Sequence, residues 1–192
     1  MIVSHFLYVL FLLLVGWSGS THAVNVGYPA PDFTLFDTSE EPISLTDFRG
    51  KYVVLEWFNP HCRAVQQHRE IVRKLAHHYQ WRGIIWLGIN STHYMTQEDN
   101  LMWQETNRLN YRILDDFTGE TARRYQVKIT PQVYIVNPMG IVIYSGAVDD
   151  NVRGDKSQPF NYVAVALEEI LTDQPITYSQ TQPYGCLVQY QY

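Results

Sequence analysis

The chain has 192 residues, 46% of them apolar and 17% charged, which suits one folded domain with a sizeable core and excludes a disordered chain. Its formal charge of -5 comes without any basic run, since Arg123 and Arg124 are only a pair, and nucleic acid is therefore not an expected partner.

Residues 1–23 carry an apolar stretch over 6–15, too short to cross a bilayer comfortably, followed by small residues ending in Thr21-His22-Ala23. This reads as a cleaved export signal. The absence of Lys and Arg from its first residues leaves an uncleaved membrane anchor as the alternative. Both place the rest of the chain outside the cytoplasm, in the periplasm or another extracytoplasmic space. There a disulfide between Cys62 and Cys186 could persist, although spacing alone does not pair them. The organisation expected is a signal over 1–23, one domain over 24–173 and a tail over 174–192, with no internal repeat.

Gly27, Pro29 and Pro31 predict an irregular lead-in, and the short alternating run 33–36 an edge strand. The stretch "ISLTDFRGK" holds one amphipathic turn ended by Gly50. After it, the run 52–58 ("YVVLEWF") has almost no alternation, which predicts a strand buried on both faces at the centre of a sheet. From Cys62, apolar Val65, Val72, Leu75, Ala76 and Tyr79 recur at helical spacing, and Gly83 closes that helix. "GIIWLGIN" predicts a second buried strand, and Thr96 with Glu98 opens a second helix. Strand, helix, strand, helix in this order implies parallel crossover units. "YRILDD" then predicts a short strand, "TGETARRYQV" a short helix, "PQVYIVNPMGIVIYSG" a hairpin and "FNYVAVALEEIL" the last helix, so the sheet becomes mixed. Trp57, Trp81, Trp86 and Trp103 are expected in or near the core. The tail tyrosines, Tyr178, Tyr184, Tyr190 and Tyr192, are expected to pack over the domain.

Cys62 has two accounts. It shares a helical face with Val65, Val72 and Leu75, as a small buried hydrophobe would. It also stands at a strand-to-helix junction, where unpaired backbone N–H groups and the helix dipole favour a thiolate. Arg63 adds a positive charge beside it, His61 could add another or exchange a proton, and Asn59-Pro60 fixes the turn at the carboxyl end of the strand, where sites of open α/β folds gather. Thr130-Pro131, immediately before an apolar strand, invites a cis peptide bond that would expose backbone groups at a site, an ordinary trans proline being the plainer account.

The segments "GYPAPDFTLFD", "LTDFRGKYVVLEWFNPHC", "YQVKITPQVYIVNPMGIVIYSGAVDD", "NYVAVALEEIL" and "PYGC" together resemble the redoxin, AhpC/TSA-like branch of the thioredoxin superfamily, of the exported peroxiredoxin-like or thiol-disulfide oxidoreductase type. The resemblance implies an α/β, thioredoxin-like fold, a central mixed β-sheet flanked by helices, with an N-terminal extension and a C-terminal tail. It implies a reactive cysteine at Cys62 and a facing cis-proline loop at Thr130-Pro131. It also exposes departures. Val65 stands where relatives that reduce disulfides carry their second cysteine, so Cys62 lacks a neighbouring thiol to resolve a mixed disulfide. Asn59 and Leu55 replace the Thr or Ser and the Pro of typical peroxiredoxins, and no arginine closely follows Pro131, leaving Arg63, Arg123 or Arg124 as substitutes. Cys186, in a tail resembling the end of this branch, is either the resolving thiol, a structural staple or inert.

The expectation is therefore a thiol-based oxidoreductase using the single cysteine Cys62 on a disulfide or a peroxide, with no cofactor and no metal. Its partners would be a thiol or disulfide protein or a small thiol reductant, with no nucleic acid and with membrane only through an uncleaved leader. The alternative is a non-catalytic module binding a partner protein or a copper or zinc ion through His61, Cys62 and His68, although a solvated helix face is the plainer account of the histidines.

Overall fold

The computed structural model describes residues 24–190; the leader call falls outside them. A seven-stranded mixed sheet organises the chain. Its strands in chain order are β1 (Thr34–Asp37), β2 (Pro42–Ser44), β3 (Val53–Phe58), β4 (Ile85–Asn90), β5 (Arg112–Asp115), and, further on, β7 (Gln132–Val136) and β8 (Val142–Gly146). Their spatial order is β2-β1-β5-β4-β3-β7-β8. β3, β4 and β5 run parallel, as the crossover pattern requires, while β7 lies antiparallel to β3 and forms the hairpin with β8. The expected edge strand β1 is one place inward. The short β2, unmarked in the sequence, pairs with it and takes the edge.

Alternation along β3 explains why its run reads as uniformly apolar. Val54, Glu56 and Phe58 point to one face, where α1 (Arg63–Gln80) and α4 (Tyr162–Leu171) pack with Val65, Val72, Ala76, Val163, Leu167 and Ile170. Val53, Leu55 and Trp57 point to the other, covered by the lead-in, a 3-10 turn over Leu45–Phe48 and α3 (Glu120–Arg124) with Tyr125 behind it. The remaining helix, α2 (Gln97–Thr106), starts with a capping box in which Thr96 and Asp99, rather than the adjacent Glu98, satisfy each other's backbone N–H groups. Trp57 and Trp86 are core residues as expected. Trp81, just past the end of α1, is instead 83% exposed, because helical periodicity stops where the helix does.

The tail completes the fold. Two short strands, β6 (Ile129–Thr130) and β9 (Cys186–Leu187), form a second sheet, antiparallel, with Thr130 opposite Cys186. On its way there the tail runs beside β8, with the Ser145 N–H donating to Ser179 O (3.0 Å) and the Thr181 N–H donating to Ser145 O (3.0 Å). Past β9 it is tied down again, by the Val188 N–H donating to Lys128 O (3.0 Å) and the His93 N–H donating to Gln189 O (3.2 Å). Tyr184, Cys186, Val188 and Tyr190 are half-buried while Gly185, Leu187 and Gln189 are exposed, a period of two that marks an extended segment lying on a surface.

Candidate functional site: a disulfide between helix and tail

The loop from β3 into α1 is built by Asn59. Its Oδ1 accepts the His61 N–H (2.8 Å) and its carbonyl accepts the Cys62 N–H (2.9 Å), which seats Cys62 as the N-cap of α1. Cys62 is bonded to Cys186, with the two Cα atoms 5.8 Å apart and a sequence separation of 124. Both cysteines of the described chain are thus consumed, and in this state no thiol titrates. Cys62 is 2% exposed, and the tail contributes to its cover.

The Thr130–Pro131 peptide bond is cis. It places the Thr130 carbonyl oxygen 3.4 Å from the Cys62 sulfur, while the Thr130 backbone pairs with Cys186. Helix start, cis-proline loop and tail therefore meet at one point. Gly185 makes the approach feasible: its φ is +137°, and a Cβ there would lie 2.1 Å from the Thr130 carbonyl oxygen and 3.2 Å from the Ala64 Cβ.

The other residues marked in the sequence are distributed differently. His61 is exposed and stacks on Tyr94, with ring centroids 5.7 Å apart. Arg63 is exposed. Arg123 lies over the Tyr190 ring at 4.5 Å and donates to Thr118 O (2.6 Å), so it is engaged away from the disulfide. Asn59 is buried with its side-chain oxygen spent on the turn.

His68 corrects the solvated-face expectation. It is 5% exposed, because α1 turns it inward toward the loop after β8. Its Nδ1 donates to Ala64 O (2.6 Å), and its Nε2 lies 3.1 Å from Asp149 Oδ1 and 2.9 Å from the Tyr184 hydroxyl oxygen. A carbonyl facing Nδ1 and a carboxylate facing Nε2 are both acceptors, a setting that favours the protonated ring over the neutral one. Burial pulls the pKa of His68 down, but the hydrogen bond and charge of Asp149, with the Ala64 carbonyl, outweigh it and leave it raised. Burial alone would raise Asp149; His68, the Tyr184 hydroxyl and the Asn151 N–H reverse this and hold it below the usual carboxylate range. With both nitrogens of His68 engaged and Cys62 in a disulfide, His61, Cys62 and His68 are not arranged as a ligand set, and no group of three metal-binding side chains occurs among the described residues.

Glu56 was passed over in the sequence although the signal was present, a carboxylate inside the apolar run of β3. It is 4% exposed and accepts from Trp86 Nε1 (3.1 Å) and the Tyr111 hydroxyl (3.4 Å). Burial pushes its pKa up to about 7, against the opposing pull of Trp86, His68 and Tyr111.

The AhpC/TSA family profile matches residues 26–145. Thiol-disulfide oxidoreductase ResA of Bacillus subtilis is 24% identical over 121 residues, covering 63% of this chain and 66% of its own. Peroxiredoxin-2 of Cricetulus griseus is 31% identical over 150 residues, covering 65% and 69%. Among solved structures, the hypothetical protein SMc02350 from Sinorhizobium meliloti superposes with a TM-score of 0.81 at 21% identity, over 88% of this chain and 97% of that one. A putative thiol:disulfide interchange protein DsbE from Chlorobium tepidum gives 0.59 at 22% identity, over 64% and 85%. The mixed sheet flanked by helices is the thioredoxin fold, and the chain belongs to the AhpC/TSA family, among relatives that are thiol-disulfide oxidoreductases and peroxiredoxins.

Proposed function

We propose that the chain is an extracytoplasmic thiol-disulfide oxidoreductase that works with two cysteines, Cys62 attacking and Cys186 resolving. The observation that carries this reading is the register of β6 on β9: an extended, cysteine-bearing segment already lies along the cis-proline loop, with Thr130 opposite Cys186 and the sulfur joined to Cys62. A surface that holds this peptide suits another of the same kind once the tail has left. This replaces the single-cysteine scheme, because the resolving sulfur that Val65 fails to supply comes from the tail.

In the reduced chain, Cys62 sits at the N-cap of an 18-residue helix, where unpaired N–H groups stabilise its thiolate. The thiolate attacks one sulfur of a substrate disulfide, forming a mixed disulfide and releasing the other sulfur as a thiolate that takes up a proton. Cys186, deprotonated, then attacks the Cys62 sulfur. The Cys62–Cys186 bond re-forms, and the second substrate thiolate leaves and is protonated. The substrate gains two electrons and the protein loses two, which a dithiol reductant restores by the same exchange in reverse. Disulfide rather than peroxide is favoured because Asn59, at the position of the usual hydroxyl, is committed to the turn. An exported location is supported by the leader-like sequence of residues 1–23 and by a disulfide that uses both cysteines of the chain.

The test uses the full chain with a cysteine peptide disulfide as substrate. The Cys186→Ser variant should accumulate a mixed disulfide on Cys62, seen by mass spectrometry, whereas Cys62→Ser should form none and lose turnover. Full turnover by Cys62→Ser would overturn the reading.

A further inference from the structure

Resolution requires Cys186 to return to Cys62 across a loop of 124 residues, and the antiparallel pairing between β6 and β9 spans only two residues on each side. Backbone bonds at Ser179, Thr181, Val188 and Gln189 hold the tail on either side, and between them one side chain is anchored next to Cys186. Two positions before Cys186, on the same inward side of the strand, Tyr184 reaches the buried pair His68–Asp149. Its hydroxyl donates to Asp149 Oδ1 and lies 2.9 Å from His68 Nε2, and its ring meets the His68 ring edge to face, with centroids 5.7 Å apart. Three distant parts of the chain converge there: α1, the loop after β8, and the tail.

The pair is built as a receptor for that hydroxyl. Asp149 is 2% exposed and oriented by the Asn151 N–H, which donates to the same Oδ1 at 2.9 Å, while His68 is held from behind by the Ala64 carbonyl. A buried histidine–carboxylate pair that turns polar atoms of both partners toward one hydroxyl suits a phenol group and leaves little tolerance for a residue without one. Charged hydrogen-bonding partners make each contact stronger than a neutral one.

We propose that Tyr184, His68 and Asp149 form a docking clasp that positions Cys186 for closure on Cys62. This rests on the two-cysteine reading above and names the residues that govern its resolving step. None of the three touches the exchanging sulfurs; they are positioning residues, acting through the tail. The clasp fixes the chain two residues from the reacting cysteine, so it raises the effective concentration of the Cys186 thiol at Cys62 without changing the chemistry of either sulfur.

The experiment measures the equilibrium between the Cys62–Cys186 disulfide and its dithiol in dithiothreitol redox buffers, by acid quench and alkylation, for wild type and Tyr184→Phe. Phenylalanine keeps the ring contact and removes only the hydroxyl. The effective concentration of Cys186 is expected to fall about ten-fold, as for loss of a hydrogen bond to charged partners, and a fall of less than about three-fold would overturn the clasp. Asp149→Asn should give a similar loss, and the double variant should lose no more than Asp149→Asn alone; fully additive losses would place the two residues in separate roles and also overturn it. The urea midpoint should fall more in the oxidised than in the reduced Tyr184→Phe chain, since a purely structural tyrosine would lower both equally; equal falls would overturn the clasp. No substrate enters the assay. A failed clasp therefore leaves turnover through Cys186 intact, and a failed turnover assay leaves the clasp measurable.

Discussion

At Glu56 one residue carries two demands that the surrounding sequence conceals. The strand needs an unbroken buried run, yet a carboxylate occupies its middle, held by Trp86 and Tyr111 and raised to about 7 by burial. Its unfolded value is the ordinary 4.5, so the native state binds the proton more tightly. The stability linked to that proton is complete below pH 4.5 and is lost as pH rises through about 7, amounting to on the order of 3 kcal/mol. His68, also raised, contributes in the same direction: its share is present below the ordinary imidazole value of 6.5 and lost at higher pH. Glu56→Gln should therefore flatten the fall in unfolding free energy between pH 5 and 7, read by urea titration; an unchanged slope would assign the dependence to other groups. At this scale the place of Cys62 at a helix start and of Pro131 before a strand is legible, because a cysteine after a strand and a proline before one are local patterns. His68, Asp149 and Tyr184 are not, since 81 residues separate the first two and 35 the last two, and no spacing rule reaches that far.

Among the elements, the central strands and the long helices follow from periodicity, and the structure reproduces them to within a residue or two. The tail strand was missed. Its alternation, Tyr184, Cys186, Val188, Tyr190, is present in the sequence, but β9 is only two residues long and pairs with an equally short β6, so pattern and composition alike read as loop. Gly185 tests this element. An alanine Cβ there would collide with the Thr130 carbonyl, a backbone atom that cannot swing aside, and φ of +137° is closed to it as well. Gly185→Ala should keep the domain folded while lowering the fraction of chains with the Cys62–Cys186 bond in a redox buffer by at least about ten-fold, counted by alkylation. An undiminished fraction would show that the tail has another way to dock.

For the molecule as a whole, the disulfide joins the start of α1 to a segment arriving from the far end of the chain, and closing so long a loop contributes about 5 kcal/mol in the chain-entropy view. Oxidised and reduced protein should differ in unfolding free energy by roughly that amount, measured by urea denaturation with and without reductant. A difference below about 1 kcal/mol would mean that the reduced denatured chain is already compact or that native strain offsets the gain.

The sequence by itself determined the α/β layering, the strand at the centre of the sheet and the cysteine at the head of its helix. These depend on interactions between residues a few positions apart, where the period of the side chains and the geometry of a turn act directly. Only the tertiary structure decided that Cys62 and Cys186 are joined, that Thr130–Pro131 is cis, and that Tyr184 rests on a buried His68–Asp149 pair. Each of those is set by which distant surfaces come into contact, and contact across a hundred residues is a property of the packed chain rather than of any stretch along it.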